Sequence, residues 1–226
     1  MIGTERAGED AARRAQVGAA AFILTLRARG LRDTAVLGAM ERVPRELFAP
    51  QRFADLARTD VSLPLACGQT MTAPATVASM LVALGLGPGQ RVLEIGTGSG
   101  YVTALLAKLG GRVRTVERYA TLAEGAGARL RLTGLSEAAD VMVGDGLSLS
   151  DEGGRYDRIL VNGAAKAVPP ILTSLIAPGG RLVGALSAGG LPRLARVERG
   201  GDGQLRYDLG PPLRLAPLTA GRALSL

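Results

Sequence analysis

Histidine and tryptophan are absent from the 226 residues, and cysteine occurs once, at Cys67. Without imidazole and with one thiol, a Ser/His/Asp triad and a Cys/His pair are excluded, and a zinc site has almost no ligands to draw on. Any chemistry here proceeds without a near-neutral proton shuttle. A single cysteine forms no intramolecular disulfide. The N-terminus shows no apolar segment between a basic start and a small-residue cleavage site, so the expected setting is the cytoplasm. No run of about 18 uncharged apolar residues occurs, and no membrane association is expected. Aromatics are scarce, three Phe and four Tyr. The formal net charge is +7, but the arginines are scattered without aromatic interleaving. They read as a solvated surface, and nucleic acid is not an expected partner.

What remains is Ala, Leu and Val with 32 glycines, 47% of the chain being apolar, enough for one sizeable α/β core. Residues 9–29 carry apolar positions at helical spacing (Val17, Ala21, Leu24), and a second helix is expected over 34–42. TAPATVASMLVALGL reads as a helix beginning near Pro74 with Thr72 as its cap. From Arg91 the pattern alternates: RVLEI, YVTALLAKLG, RVRTV, ATLAEGAGARLRLTG, ADVMV, YDRILV, VPPILTSLIAPGG, RLVGAL. Such alternation predicts a mostly parallel sheet with helices on both faces. RLARVER and QLRYDLG flank a Gly-rich turn at 200–203 and predict a C-terminal antiparallel hairpin.

The chemistry concentrates where the first of these strands ends. VLEIGTGSGY sets Gly96, Gly98 and Gly100, with Thr97 between them, where a strand meets a helix N-terminus, so that backbone can approach a ligand closely. The spacing is G-x-G-x-G, since Tyr101 stands where a dinucleotide fingerprint has its third glycine, and no G-x-x-x-x-G-K-[ST] element exists. The next strand ends at Glu117, where this architecture places a carboxylate for ribose hydroxyls. VMVGDG ends at Asp145 and Gly146, suited to an adenine edge. Glu94 adds negative potential beside the loop. Each element alone reads equally as a strand-end turn. Three in order, at the carboxyl ends of successive strands, favour S-adenosyl-L-methionine over NAD.

From about Met40 to Leu218 the chain resembles the protein-L-isoaspartate O-methyltransferase family of Rossmann-like methyltransferases. The resemblance rests on MERVPRELFAP, LPLACGQTMTAP, VLEIGTGSGY, the VGDG turn, YDRILVNGAA, LIAPGGRLV and PLRLAPLT. The glycine loop is common to many methyltransferases, whereas the VPR-x-x-F-x-P and GQT elements are specific to this family. It implies one methyltransferase domain over 1–226, with an N-terminal helical segment (1–60) and a catalytic Rossmann-like core (61–226). It also implies that Thr70, Met71 and Thr72 cover the cofactor, Thr72 standing at the position of the family's active-site serine, and that Thr219 matches a cofactor-contacting threonine. Departures cluster on the acceptor side: Arg58 and Thr59 before Asp60, Ser62-Leu63-Pro64-Leu65-Ala66, Cys67 before GQT, and Lys166 after Asn162-Gly163-Ala164-Ala165.

The implied reaction explains the missing histidine. A carboxylate acceptor is already ionised, with a pKa near about 4, so no general base and no metal are needed. The protein's contribution would be proximity and orientation, worth about 7–11 kcal/mol. The implied acceptor is an isoaspartyl-containing protein or peptide. A different acceptor on the same fold, or a cofactor-binding module without catalysis, stays open at this level.

Overall fold

The computed structural model describes residues 16–149, 154–187 and 190–223. The first helix, α1, is described over residues 16–28; the expected turns over 9–15 lie outside the described residues. Its buried face is Phe22, Ile23 and Leu26, while Val17 and Leu24 are 63% and 66% exposed. The expected stripe is therefore corrected: alanine occupies so much of this helix that spacing alone is ambiguous, and the bulkier side chains take the core. Helix α2 (Thr34–Arg42) starts where expected, because the Asp33 side chain accepts the Val36 N–H at 2.9 Å, and it buries Val36, Leu37, Ala39 and Met40.

LPLACGQTM folds as a small antiparallel ribbon of β1 (Leu63–Pro64) and β2 (Thr70–Met71), with Leu63 opposite Met71. Its turn is held by Leu65 N–H to the Gln69 carbonyl at 2.8 Å and puts Cys67 in the left-handed region at φ 60°, a conformation that side chains other than glycine rarely adopt. Helix α3 (Pro74–Leu84) follows, with Pro at its first turn and no side-chain cap from the residues before it. The expected Thr72 cap is corrected: Asp60, 15 residues upstream, accepts the Ala75 N–H at 2.8 Å.

The main sheet contains β3 (Arg91–Ile95), β4 (Arg112–Glu117), β5 (Ala139–Val143), β6 (Tyr156–Ala165), β7 (Ile176–Leu186), β8 (Arg193–Arg199) and β9 (Leu205–Pro212). They lie in the order β5-β4-β3-β6-β7-β8-β9. Strands β3 to β7 run parallel, and β8 and β9 add the antiparallel hairpin at one edge. Helices α4 (Tyr101–Lys108) and α5 (Ala120–Leu132) make the crossovers on the β4–β5 side. The segment VPPILTSLIAPGG is helical only over α6 (Pro170–Ser174); Ile176 onward is already strand, since Gly179 and Gly180 bend the chain into a bulged β7.

Side chains alternate between two cores, as the pleat requires. Val92, Val113, Leu160 and Val183 pack under α1 to α4, whereas Leu93, Ile95, Ile159 and Val161 pack with Leu172 and Leu175 on the other face. Each fully buried Leu contributes about 1.5–3 kcal/mol relative to an exposed one. Among the described residues no helix is long and apolar enough to cross a membrane.

Candidate active site

Parallel register brings the functional strand ends to one edge. Ile95 pairs with Val116 and Val161, and Glu117 pairs with Val143, so the glycine loop, Glu117, the Asp145 turn and Asn162 emerge side by side. After β3 the backbone passes through positive φ at Gly98 (55°) and Gly100 (86°). At Gly98 this turns the N–H onto Glu117, whose Oε2 accepts it at 2.9 Å while Oε1 accepts the Tyr119 N–H at 3.1 Å. Gly100 packs on α5, where a Cβ would lie 3.0 Å from that of Ala126. Thr97 and Thr115 share a buried hydroxyl–hydroxyl bond of 2.6 Å, which locks the loop onto β4.

Two cavities open on this edge. The larger, about 290 Å³, has Thr70, Met71 and Thr72 of the ribbon on one side and Gly96, Thr97, Gly98 and Glu117 on the other. The smaller, about 80 Å³, is lined by Asp145, Gly146 and Thr219 among others. Gly96, Glu117, Gln69, Asn162 and Ala216 border both, so the two are lobes of one site.

In the smaller lobe, Asp145 accepts the Leu147 N–H at 2.9 Å and the Gly221 N–H at 2.8 Å. Burial pushes its carboxyl upward, but these hydrogen bonds, helped by Arg118, outweigh burial and hold it below the usual range. Gly146 has no room for a side chain, because a Cβ there would lie 2.6 Å from Ile95 Cγ2. Residues 216–218 run beside the end of β6, with Ala164 N–H to the Ala216 carbonyl at 2.8 Å and Leu218 N–H to the Ala164 carbonyl at 2.9 Å.

Two expected site residues line neither lobe. Gly100 serves helix packing. Glu94 is fully buried beneath the loop, its oxygens accepting from Thr103 Oγ1 at 2.5 Å and Asn162 Nδ2 at 2.6 Å. It shares a strand face with Val92, which points into the α3–α4 core. Burial, partly offset by hydrogen bonds from Thr103, Thr115 and Asn162, pushes its carboxyl up to about 7. It borders neither lobe and instead anchors Asn162, which also donates to the Gly96 carbonyl at 3.0 Å.

Sequence reading gave no site role to Arg45, Ser62, Asn162 and Arg214. Arg45 is 1% exposed. It donates to the carbonyls of Ala57 (2.7 Å), Val61 (3.1 Å) and Thr72 (3.1 Å), and its guanidinium lies 5.9 Å from the centre of the Tyr101 ring. Burial lowers its pKa. The signals that could have found these residues are a polar amide directly after the apolar run ILV, for Asn162, and an arginine inside an otherwise apolar turn, for Arg45.

The lobes offer acceptor chemistry that suits S-adenosylmethionine. The Glu117 carboxylate carries about four lone-pair positions and spends one per oxygen on backbone N–H groups, leaving acceptors for two hydroxyls between the lobes.

Comparison with known proteins agrees with this geometry. Residues 18–223 match the sequence model of protein-L-isoaspartate(D-aspartate) O-methyltransferase. Protein-L-isoaspartate O-methyltransferase 2 of Rhodopseudomonas palustris (strain HaA2) is 45% identical over 206 residues, 91% of this chain and 94% of that one. The protein-L-isoaspartate O-methyltransferase of Methylorubrum populi is 45% identical over 194 residues, 86% of this chain and 91% of that one. A Plasmodium falciparum structure described as a protein-L-isoaspartate O-methyltransferase in complex with S-adenosyl-L-homocysteine superposes with a TM-score of 0.76. It covers 88% of this chain and 97% of that one at 20% identity, which speaks to the fold. With its family-specific turn, its ribbon and its glycine loop meeting at one strand edge, the chain belongs to the protein-L-isoaspartate(D-aspartate) O-methyltransferase family.

Proposed function

We propose that this chain is an S-adenosylmethionine-dependent carboxyl methyltransferase that methylates the free α-carboxylate of L-isoaspartyl residues in damaged proteins. The observation that carries the reading is the single larger lobe, in which Thr70–Thr72 face the glycine loop and Glu117. When bound there, S-adenosylmethionine supplies an electrophilic methyl group on a sulfonium.

The chain's own residues have definite tasks in this reading. Gly96, Thr97 and Gly98 offer backbone to the methionine part of the cofactor, Glu117 accepts from the ribose hydroxyls, and Asp145, Gly146 and Thr219 border the adenine. Asp145 has one backbone N–H on each oxygen, which leaves acceptor capacity for an exocyclic amine. Thr72 directs its hydroxyl toward the acceptor carboxylate, and Met71, 4% exposed, helps to exclude water. No residue need remove a proton, because the acceptor is ionised at neutral pH. Once the ester has formed, collapse to a succinimide and hydrolysis need no further group from the protein. The reaction is placed in the cytoplasm, where a lone thiol such as Cys67 stays reduced.

Transfer of labelled methyl to a matched pair of peptides, one with L-isoaspartate and one with normal aspartate, tests the proposal. A base-labile label on the isoaspartyl peptide alone is the expected result. Absence of label on both, with cofactor binding verified by calorimetry, would assign the site to another acceptor.

A further inference from the structure

Among the described residues lining the larger lobe, Arg214 is the one cation and Glu117 the one carboxylate. Its backbone is held on both sides. The Leu213 N–H donates to the Pro192 carbonyl at 2.7 Å, and the Ala216 carbonyl accepts from Ala164 at 2.8 Å. The residue itself is exposed, and its side chain takes part in no ion pair among the described residues. Among the described residues the chain therefore presents a guanidinium outside any ion pair from a fixed segment, on the same lobe as the neutral polar side chains of Ser62, Gln69, Thr70 and Thr72.

On the reading of this lobe as a carboxyl methyltransferase site, we propose that Arg214 is the binding group for the acceptor's carboxylate. Guanidinium suits this task because it is always charged and forms charge-assisted hydrogen bonds to carboxylate oxygens. Holding one oxygen leaves the other free to react. The same cation then distinguishes substrate from product. Methylation converts the anion into a neutral ester, Arg214 loses its counter-charge, and the product is held more weakly than the substrate. Arg214 is thus a specificity-determining residue whose partner disappears on turnover.

The test compares wild type with Arg214→Gln and Arg214→Lys, using an isoaspartyl peptide as acceptor. An exposed position predicts unchanged thermal stability for both variants. R214Q should raise KM for the peptide about tenfold or more while kcat changes little, and the wild type's rise of KM with salt should flatten in R214Q. R214K should recover part of that salt dependence. Cofactor affinity by calorimetry should match wild type. A peptide KM that stays constant in R214Q, or a loss confined to cofactor affinity, would overturn the proposal, the latter assigning Arg214 to the cofactor's own carboxylate. Titration of the peptide onto S-adenosylhomocysteine-saturated wild type and R214Q reads Arg214 without turnover. Weaker binding to the variant supports the assignment even where the wild type transfers no methyl group, and equal binding overturns it.

Discussion

Arg45 donates to the carbonyl oxygen of Thr72 at 3.1 Å across 27 residues of sequence. The same guanidinium also holds Ala57 and Val61. The turn containing Arg45 is thereby fastened to the ribbon that carries Thr72, and the cavity wall is pinned by a buried cation as well as by its own short β-pairs. Arg45→Met should cost about 2–4 kcal/mol, because carbonyls taken from water are left without donors. Arg45→Lys keeps the charge but lacks the fork that reaches three carbonyls. Urea denaturation should rank wild type above Lys above Met, and folded R45K should lose kcat while keeping its cofactor affinity. Wild-type stability in R45M would show that the three bonds are dispensable.

Thr72→Ala should reduce kcat about tenfold or more, the equivalent of one aligned hydrogen bond. Calorimetry should give an S-adenosylmethionine dissociation constant close to wild type, and Thr72→Ser should retain activity. Unchanged turnover in the alanine variant would remove Thr72 from the site.

Glu117 has two tasks that one substitution separates from background stability. Glu117→Ala removes acceptors for the cofactor's hydroxyls, which should weaken binding by about 1–3 kcal/mol. It also strips the Gly98 and Tyr119 N–H groups of their partner, so the melting temperature should fall without any ligand present. Equal dissociation constants for the two proteins would sink the binding role, whatever happened to stability.

Glu94 supplies a pH test. Its carboxyl moves from the usual 4.5 up to about 7 in the folded chain, chiefly through burial. Below the lower value both states are protonated. Between the two values the folded state holds the extra proton, so rising pH withdraws stability until the deficit is complete above about 7, on the order of 3 kcal/mol. Glu94→Gln cannot ionise. Its stability relative to wild type should therefore increase between about pH 5 and about pH 8 in thermal unfolding. Parallel curves for the two proteins would mean that Glu94 ionises in the fold as easily as in water.

How much of this was legible depended on range. Glu117, Asp145 and the glycine loop follow strands whose apolar runs are unmistakable, so their shared edge followed from topology. The ribbon was harder to see: β1 and β2 have two residues each, and its turn uses Cys67 in a conformation that sequence patterns assign to glycine. Thr72 satisfies a local capping rule, yet Asp60 takes that place from a distance. Glu94 looked like a ligand-facing acid because its strand position alone does not say which side of the pleat α4 covers. Arg45 and Asn162 act only through partners far along the chain, and composition carries no trace of such contacts.

The path of residues 216–221 bears on how the enzyme is made. This stretch follows every other part of the site in the chain, yet it borders both lobes and supplies the Gly221 N–H to Asp145. During synthesis the glycine loop, Glu117 and the ribbon all emerge first and wait with one wall missing. A chain cut short before residue 216 would therefore keep the glycine loop, Glu117 and the ribbon yet lose a wall of both lobes and the Gly221 hydrogen bond to Asp145.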